Sequence, residues 1–377
     1  MAKKRGNGEG SITRRKSGGW CAQYVVYTSD GRKRRTLYGK TRTEVAAKLS
    51  KALANRESGL VFDAGNLTMG EYLDRWLSHS VRDTVRRKAY ERYESIVRMH
   101  LAPALGRIRL KALTPDHVRG LYREKLDGGL SPSSVLHIHR TLSKALKQAA
   151  GDGLVPRNAA ASVKPPQPRR EEIQPLYRDQ VGAFLGTVAG DRMEALYVLA
   201  VTAGLRQGEL LALKWEDVDL EGEYPTLQVR RSLSETRGRR SFETPKSGRG
   251  RYLRLSGRTV VALRAHRKRQ LEERMQKAGL WEDHGLIFPS EVGTPMSGRN
   301  LYRAFKIRAK RASLPQTLRF HDLRHTCATL LLKQGVNPKF VQELLGHADI
   351  SLTLNTYSHV LSDMGDAAAG GMDAALG

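Results

Sequence analysis

The stretch over residues 320–360, FHDLRHTCATLLLKQGVNPKFVQELLGHADISLTLNTYSHV, constrains this chain more than any other. Asn337-Pro338 reads as an N-cap followed by proline at the first helical position, and Gly346 reads as a stop. The punctuation predicts helices over 321–334 and 338–345. On the first helix Leu323, Cys327, Leu330 and Leu331 fall at i, i+4, i+7 and i+8, which predicts one core-facing stripe. His321 and Arg324 share an adjacent face, close enough to touch one ligand. His347 follows Gly346, and Tyr357 comes ten residues later. Cations plus one phenol, without a carboxylate cluster, point to chemistry on a phosphate.

His321 and His325 are also an i, i+4 pair, a spacing open to zinc. The HExxH glutamate is missing and the fixed charge of Arg324 repels a cation, so no metal is expected and His325 reads as a supporting or core histidine. Asp322 and Glu209 read as groups that orient neighbouring basic residues, because a carboxylate touching the phosphate would repel it.

A formal net charge of +27 over 377 residues implies a polyanionic partner. Nucleic acid is the first candidate and an anionic membrane surface the second. No run of about 18 apolar residues occurs, so no bilayer span is expected. The basic start lacks the apolar segment of a secretory signal. Cys21 and Cys327 stand alone, which excludes a disulfide framework and a cysteine-built zinc site and fits a reducing cytoplasm. Without GxxxxGK[ST], nucleotide hydrolysis is not expected.

Residues 1–60 carry fifteen Lys or Arg against four Asp or Glu. WCAQYVVY (20–27) and KRRTLY (33–38) predict two strands joined by a turn at 28–31, with a short third strand near 10–12. Thr41-x-x-Glu44 predicts a helix with Val45, Leu49 and Leu53 on one stripe and a stop at Gly59. Such a unit leaves Arg14, Arg15, Lys16, Arg32, Lys33, Arg34 and Arg35 around the sheet, a β-ribbon suited to the DNA major groove. Further on, Thr68-x-x-Glu71, a stripe through Tyr93, Ile96 and Val97 stopped near Pro103, Thr114-Pro115 and Ser131-Pro132 predict a four-helix, all-α domain. The proline-rich segment 164–175 reads as an extended linker. Beyond it come helices over 178–188 and 191–203, then Arg206 and Glu209 one turn apart. Strands are predicted over 226–233, 239–246 and 251–255, and helices over 258–277 and 298–312. Tyr252 is assigned to strand packing.

Arg206 in AGLRQGE, Lys246 after a strand, His321-x-x-Arg324, Leu344-Leu345-Gly346-His347 and Tyr357 in NTYSHV stand in one order. In that order and rough spacing the chain resembles the tyrosine recombinases, the phage integrase family, over its whole length. The resemblance implies a multidomain, mainly α protein. An α+β arm-type DNA-binding domain would occupy 1–63, an all-α core-binding domain 66–165, and a mainly α catalytic domain with a small antiparallel sheet 174–362. The tail 363–377 is either flexible or docked on a neighbouring protomer.

The resemblance implies that Tyr357 attacks the scissile phosphate to give a 3′-phosphotyrosyl link, with no cofactor, metal or ATP. A phenol has a pKa near 10, so ionising it near neutral pH costs roughly 3–4 kcal/mol. Either the surrounding cations offset that cost or His321 takes the proton. Arg206 and Arg324 would grip the non-bridging oxygens, Lys246 would protonate the leaving 5′-oxygen, and His347 would add a hydrogen bond. The expected partners are double-stranded DNA attachment sites, a homotetramer on DNA, an excisionase and a DNA-bending host factor, in a bacterial cytoplasm and with no membrane. A topoisomerase-like relaxase and a catalytically inactive DNA-binding regulator are the competing functions.

Overall fold

The computed structural model describes residues 10–28, 31–57, 67–169, 174–236, 238–245, 248, 250–362 and 375–376. The chain forms two compact units, Met1–Arg170 and Glu171–Gly377.

In the first unit, β1 (Ser11–Arg14), β2 (Trp20–Thr28) and β3 (Gly31–Gly39) make an antiparallel sheet in that order. The expected hairpin tip at 29–30 and the expected stop at Gly59 lie outside the described residues. Ahead of α1 (Arg42–Glu57), the Glu44 amide donates to Thr41 Oγ1 at 3.1 Å. The Glu44 carboxylate accepts from the Lys40 amide at 2.9 Å, one residue outside the usual reciprocal box. Ala22, Val45 and Leu49 form the core of sheet and helix, with Ile12, Trp20, Tyr24, Leu37 and Leu53 packed around it.

The helical block starts at Thr68, whose hydroxyl accepts from the Glu71 amide at 3.3 Å while its own amide donates to the Glu71 carboxylate at 2.9 Å. α2 (Met69–Arg75) widens into a π turn at Trp76–Val81. α3 (Arg87–Ile96) runs through a second π turn, Val97–Leu101, into α4 (Ala102–Leu105). The helical path therefore passes the stop expected near Pro103. Proline sits in the first turn of α4, where a missing N–H costs little, and the wide turn accommodates its ring. α5 (Pro115–Asp127) and α6 (Pro132–Gly151) begin where their Thr-Pro and Ser-Pro signals predict. Leu73, Trp76, Leu121, Ile138 and Leu142 lie in one core, and the Tyr72 hydroxyl donates to the Ala145 carbonyl at 2.6 Å, tying α2 to α6.

The second unit opens with α7 (Arg178–Thr187), α8 (Glu194–Ala203) and the short α9 (Gln207–Leu210). A sheet of β4 (Val218–Asp219), β5 (Thr226–Val229) and β8 (Arg251–Arg254) runs in the order β4-β5-β8, while β6 (Ser232–Thr236) pairs with β7 (Arg239–Glu243). The single strand expected over 226–233 is thus divided between two sheets. The break coincides with Arg231, whose guanidinium donates to buried Asp217 at 2.7 Å. Tyr252 is 70% exposed, on the face opposite buried Leu253, which corrects its assignment to packing.

α10 (Gly257–Gln276), α11 (Gly298–Arg311), α12 (Asp322–Lys333), α13 (Pro338–Leu345) and α14 (Ile350–Ser362) complete the unit. α12 packs on α8, α13 and α14, so it is buried almost all round from Asp322 to Thr329 rather than along one stripe. Leu330 and Leu331 are only half-buried. Among the described residues no helix is long and apolar enough to cross a membrane.

Candidate active site

Two left-handed glycines set the frame of the site. Gly204 (φ 59°) ends α8, and Gly346 (φ 65°) ends α13. At Gly204 a Cβ would stand 2.6 Å from Leu345 Cδ2, so both conformation and contact require glycine there. The two helix ends expose carbonyls that no further turn can satisfy. Arg324 satisfies them: Nη1 donates to Gly204 O and Nη2 to Leu345 O, each at 2.7 Å. Arg206 Nη2 donates to Gly346 O at 3.3 Å. Helix C-termini favour cations, so two opposed helix ends hold the arginine forks in place.

Glu209 accepts from the Arg206 amide at 3.0 Å and from Arg206 Nη1 at 2.8 Å. It also accepts from Arg251 Nη1 at 3.2 Å and Nη2 at 2.8 Å, and Arg251 Nε donates to Leu344 O at 2.8 Å. Burial alone would raise the Glu209 pKa. Hydrogen bonding and charge from Arg251, then Arg206, outweigh burial and hold it at about 2. Two guanidinium groups share the one Glu209 carboxylate and a third, Arg324, is held on carbonyls, which leaves a surplus of positive charge. The Arg324 pKa feels that surplus, lowered to about 9 by burial first and then by Arg206, yet the group stays protonated at neutral pH. A buried cationic site with spare donors suits an anion with planar oxygen pairs.

His321 is the N-terminal flank of α12, and its ring lies edge-on to His325 at 5.0 Å between centroids. His347 Nδ1 is 2.8 Å from Thr353 Oγ1, and desolvation, then Arg324 and Arg206, lower its pKa to about 4. Tyr357 is 1% exposed among Ala328, Leu332, Val341 and Leu345. Its hydroxyl is 2.9 Å from His325 Nδ1, and α14 kinks at Tyr357 itself (φ −117°, ψ 20°). Burial raises the phenol pKa, with Arg324 opposing.

The structure therefore gathers Arg206, His321, Arg324, His347 and Tyr357 into one site. Lys246 lies outside the described residues. As the sequence suggests, Glu209 orients Arg206, and Asp322 binds Arg319, accepting from its amide at 2.7 Å. His325, read as a supporting or core histidine, is half-buried with its Nδ1 2.9 Å from the Tyr357 hydroxyl. Arg251 was overlooked, although RYLRL carries its signal: Arg251 alternates in phase with buried Leu253, and an arginine on the inward face of a strand demands a buried partner. The seven basic residues expected around the β-ribbon belong to the first unit. Arg14 pairs with Trp20, Arg35 with Tyr24 and Lys33 with Val26, whereas Arg34 pairs with Val25 and Arg32 with Tyr27. Arg15 lies over the Tyr38 ring at 4.8 Å, and Lys16 is exposed in the β1–β2 turn.

Residues 174–364 match the Phage integrase family, and residues 68–126 match the Phage integrase, N-terminal SAM-like domain. The chain belongs to the phage integrase family of tyrosine recombinases, and it is a site-specific DNA recombinase. It is 31% identical to an integrase of Streptomyces ambofaciens, over 95% of this chain and 94% of that one. It is 30% identical to a XerC-like tyrosine recombinase of Caldanaerobacter subterraneus subsp. tengcongensis, over 87% and 88%. Its fold is similar to that of a Tn1549 transposon integrase in complex with transposon right end DNA (TM-score 0.69, 23% identity, 82% of this chain and all of that one). A lambda integrase dimer bound to a core site is similar over 94% and 96%, with TM-score 0.59 and 20% identity.

Proposed function

We propose that Tyr357 is the nucleophile of this recombinase and that Arg206 and Arg324 bind the scissile phosphate between them. The observation that carries the reading is the convergence of two fixed guanidinium forks and a buried phenol on one surplus of positive charge. The Tyr357 oxygen attacks phosphorus, a 3′-phosphotyrosyl bond forms, and the 5′-oxygen leaves. A 5′-hydroxyl from a second strand reverses the step, so bond energy is conserved. Arg206 and Arg324 stabilise the charge that grows on the non-bridging oxygens, His347 adds a hydrogen bond, and Lys246 protonates the leaving oxygen.

Around this chemistry the reading places an arm-binding domain at 1–63, a core-binding domain at 66–165 and the catalytic domain at 174–362. Arg32 and Arg34, exposed along β3, are the proposed groove contacts. Four protomers assemble on paired attachment sites to integrate or excise a mobile element, with an excisionase and a host bending factor setting direction. A lambda integrase tetramer bound to a Holliday junction shares this fold, in keeping with that assembly.

Nicked duplexes that carry the ends of the encoding element test the mechanism. Wild-type chain is expected to become covalently attached to the 3′ end without divalent metal, and Tyr357→Phe to give no adduct. Adduct formation by Tyr357→Phe would overturn the assignment of the nucleophile.

A further inference from the structure

We infer that His325, rather than His321, is the group that engages the Tyr357 hydroxyl and takes its proton during strand cleavage. The inference rests on Tyr357 being the nucleophile. The geometry is direct. His325 Nδ1 stands 2.9 Å from Tyr357 Oη, within the reach needed for proton transfer, whereas the His321 ring lies edge-on to His325 at 5.0 Å between centroids. His325 lies one residue after Arg324, so one turn of α12 delivers both a phosphate-gripping fork and a contact to the nucleophile. Tyr357 is almost wholly buried, and with the His325 proton on Nε2 its hydroxyl donates to His325 Nδ1.

The protonation state fits the role. Desolvation first, then the charges of His321 and Arg324, lower the His325 pKa to about 4, so the free protein holds the neutral ring that can accept a proton. Around it stand His321, Asp322, Arg324 and Arg319 from α12 and the turn before it. Tyr357 approaches from α14, and His347 from the α13–α14 turn. A phosphodiester anion seated between Arg206 and Arg324 offsets the arginine charge that disfavours imidazolium. DNA binding therefore raises the basicity of His325 at the moment it is needed.

The step balances. The Tyr357 O–H bond breaks and its proton passes to His325 Nδ1, while the oxygen lone pair forms the bond to phosphorus. The bond from phosphorus to the 5′-oxygen breaks with its electron pair, and the leaving oxygen is protonated by Lys246. In rejoining, His325 returns the proton to the departing tyrosine.

Two variants separate proton transfer from simple positioning, read as the rate of covalent adduct formation on the same nicked duplexes across pH 3–9, a range that spans the lowered His325 pKa of about 4. His325→Ala removes the contact and is expected to slow adduct formation by about a hundredfold or more. His325→Asn places a non-titrating amide near the Nδ1 position. It is expected to recover part of the rate while losing the limb of the wild-type profile over which rate rises with pH. A matched thermal midpoint for His325→Asn shows that the fold is intact. Wild-type rates for His325→Ala, or a wild-type pH limb in His325→Asn, would overturn the assignment and return the role to His321. Parallel reactions with Tyr357→Phe keep failure of the nucleophile itself distinguishable from failure of His325.

Discussion

Glu209 is the residue on which the charges of the site balance. It is 1% exposed and binds both Arg206 and Arg251, so removing its charge leaves two guanidinium groups facing each other in a buried place. Glu209→Gln is expected to destabilise the second unit by about 3–5 kcal/mol at pH 7, the usual cost of breaking a buried pair from one side. Its folded-state pKa is depressed to about 2, so this contribution is fully present above about pH 4.5 and is lost as pH falls towards 2. Urea unfolding of the wild type and the variant at pH 7 and at pH 3 checks the sign: the gap between them should narrow in acid, and a constant gap would contradict the account. Much of this residue-level picture was legible in the sequence. Arg206 and Glu209 one turn apart, and His321-x-x-Arg324, announce their proximity through helical periodicity. The partnership of Glu209 with Arg251 does not, because 42 residues and a strand separate them and only folding brings them together.

Helix starts were the most readable elements, since a hydroxyl at the N-cap and a proline beside it act within three residues: Thr68, Thr114 and Ser131 all cap as their sequences predict. The π turns at Trp76–Val81 and Val97–Leu101 left no comparable local signal, and Pro103 suggested a stop where the chain continues. Strands were readable in phase more than in extent. The alternation of β2 and β3 places Arg34 opposite Val25 and Arg35 opposite Tyr24, so these adjacent arginines leave opposite faces of the sheet. Tyr24 packs against the α1-side core, which puts Arg35 on the covered face and the exposed Arg34 on the open one. Arg34→Ala should lower DNA affinity and reduce the slope of log affinity against log salt by about one unit, as expected for a lost phosphate contact. Arg35→Ala should leave that slope close to wild type and act on the stability of the sheet. Anisotropy titrations of duplex element ends at several salt concentrations separate the two faces, and equal slope changes for both variants would reject the assignment.

Charge is distributed unevenly over the whole molecule. Met1–Arg170 holds 35 Lys and Arg against 14 Asp and Glu, a net +21, which leaves +6 for Glu171–Gly377. The unit that carries the reactive groups is therefore not the unit that carries most of the electrostatic attraction to DNA. In the catalytic unit much of the positive charge is spent internally, as in the pairs of Arg192 with Glu273, Arg308 with Asp191 and Arg231 with Asp217. Each unit has its own buried core, Leu73, Trp76 and Leu142 in one and Tyr197, Phe305 and Leu323 in the other, so residues 171–377 should fold when separated at the proline-rich segment. Counterion release then makes a quantitative demand. If the full chain contacts six to ten phosphates, its affinity should fall by about 10³–10⁵ between 50 and 200 mM salt. Residues 171–377 alone should bind more weakly at 50 mM and lose much less over the same range, with a cooperative unfolding transition retained. A salt slope for the isolated catalytic unit as steep as that of the full chain would show that its own cations, rather than the basic first unit, dominate the encounter with DNA.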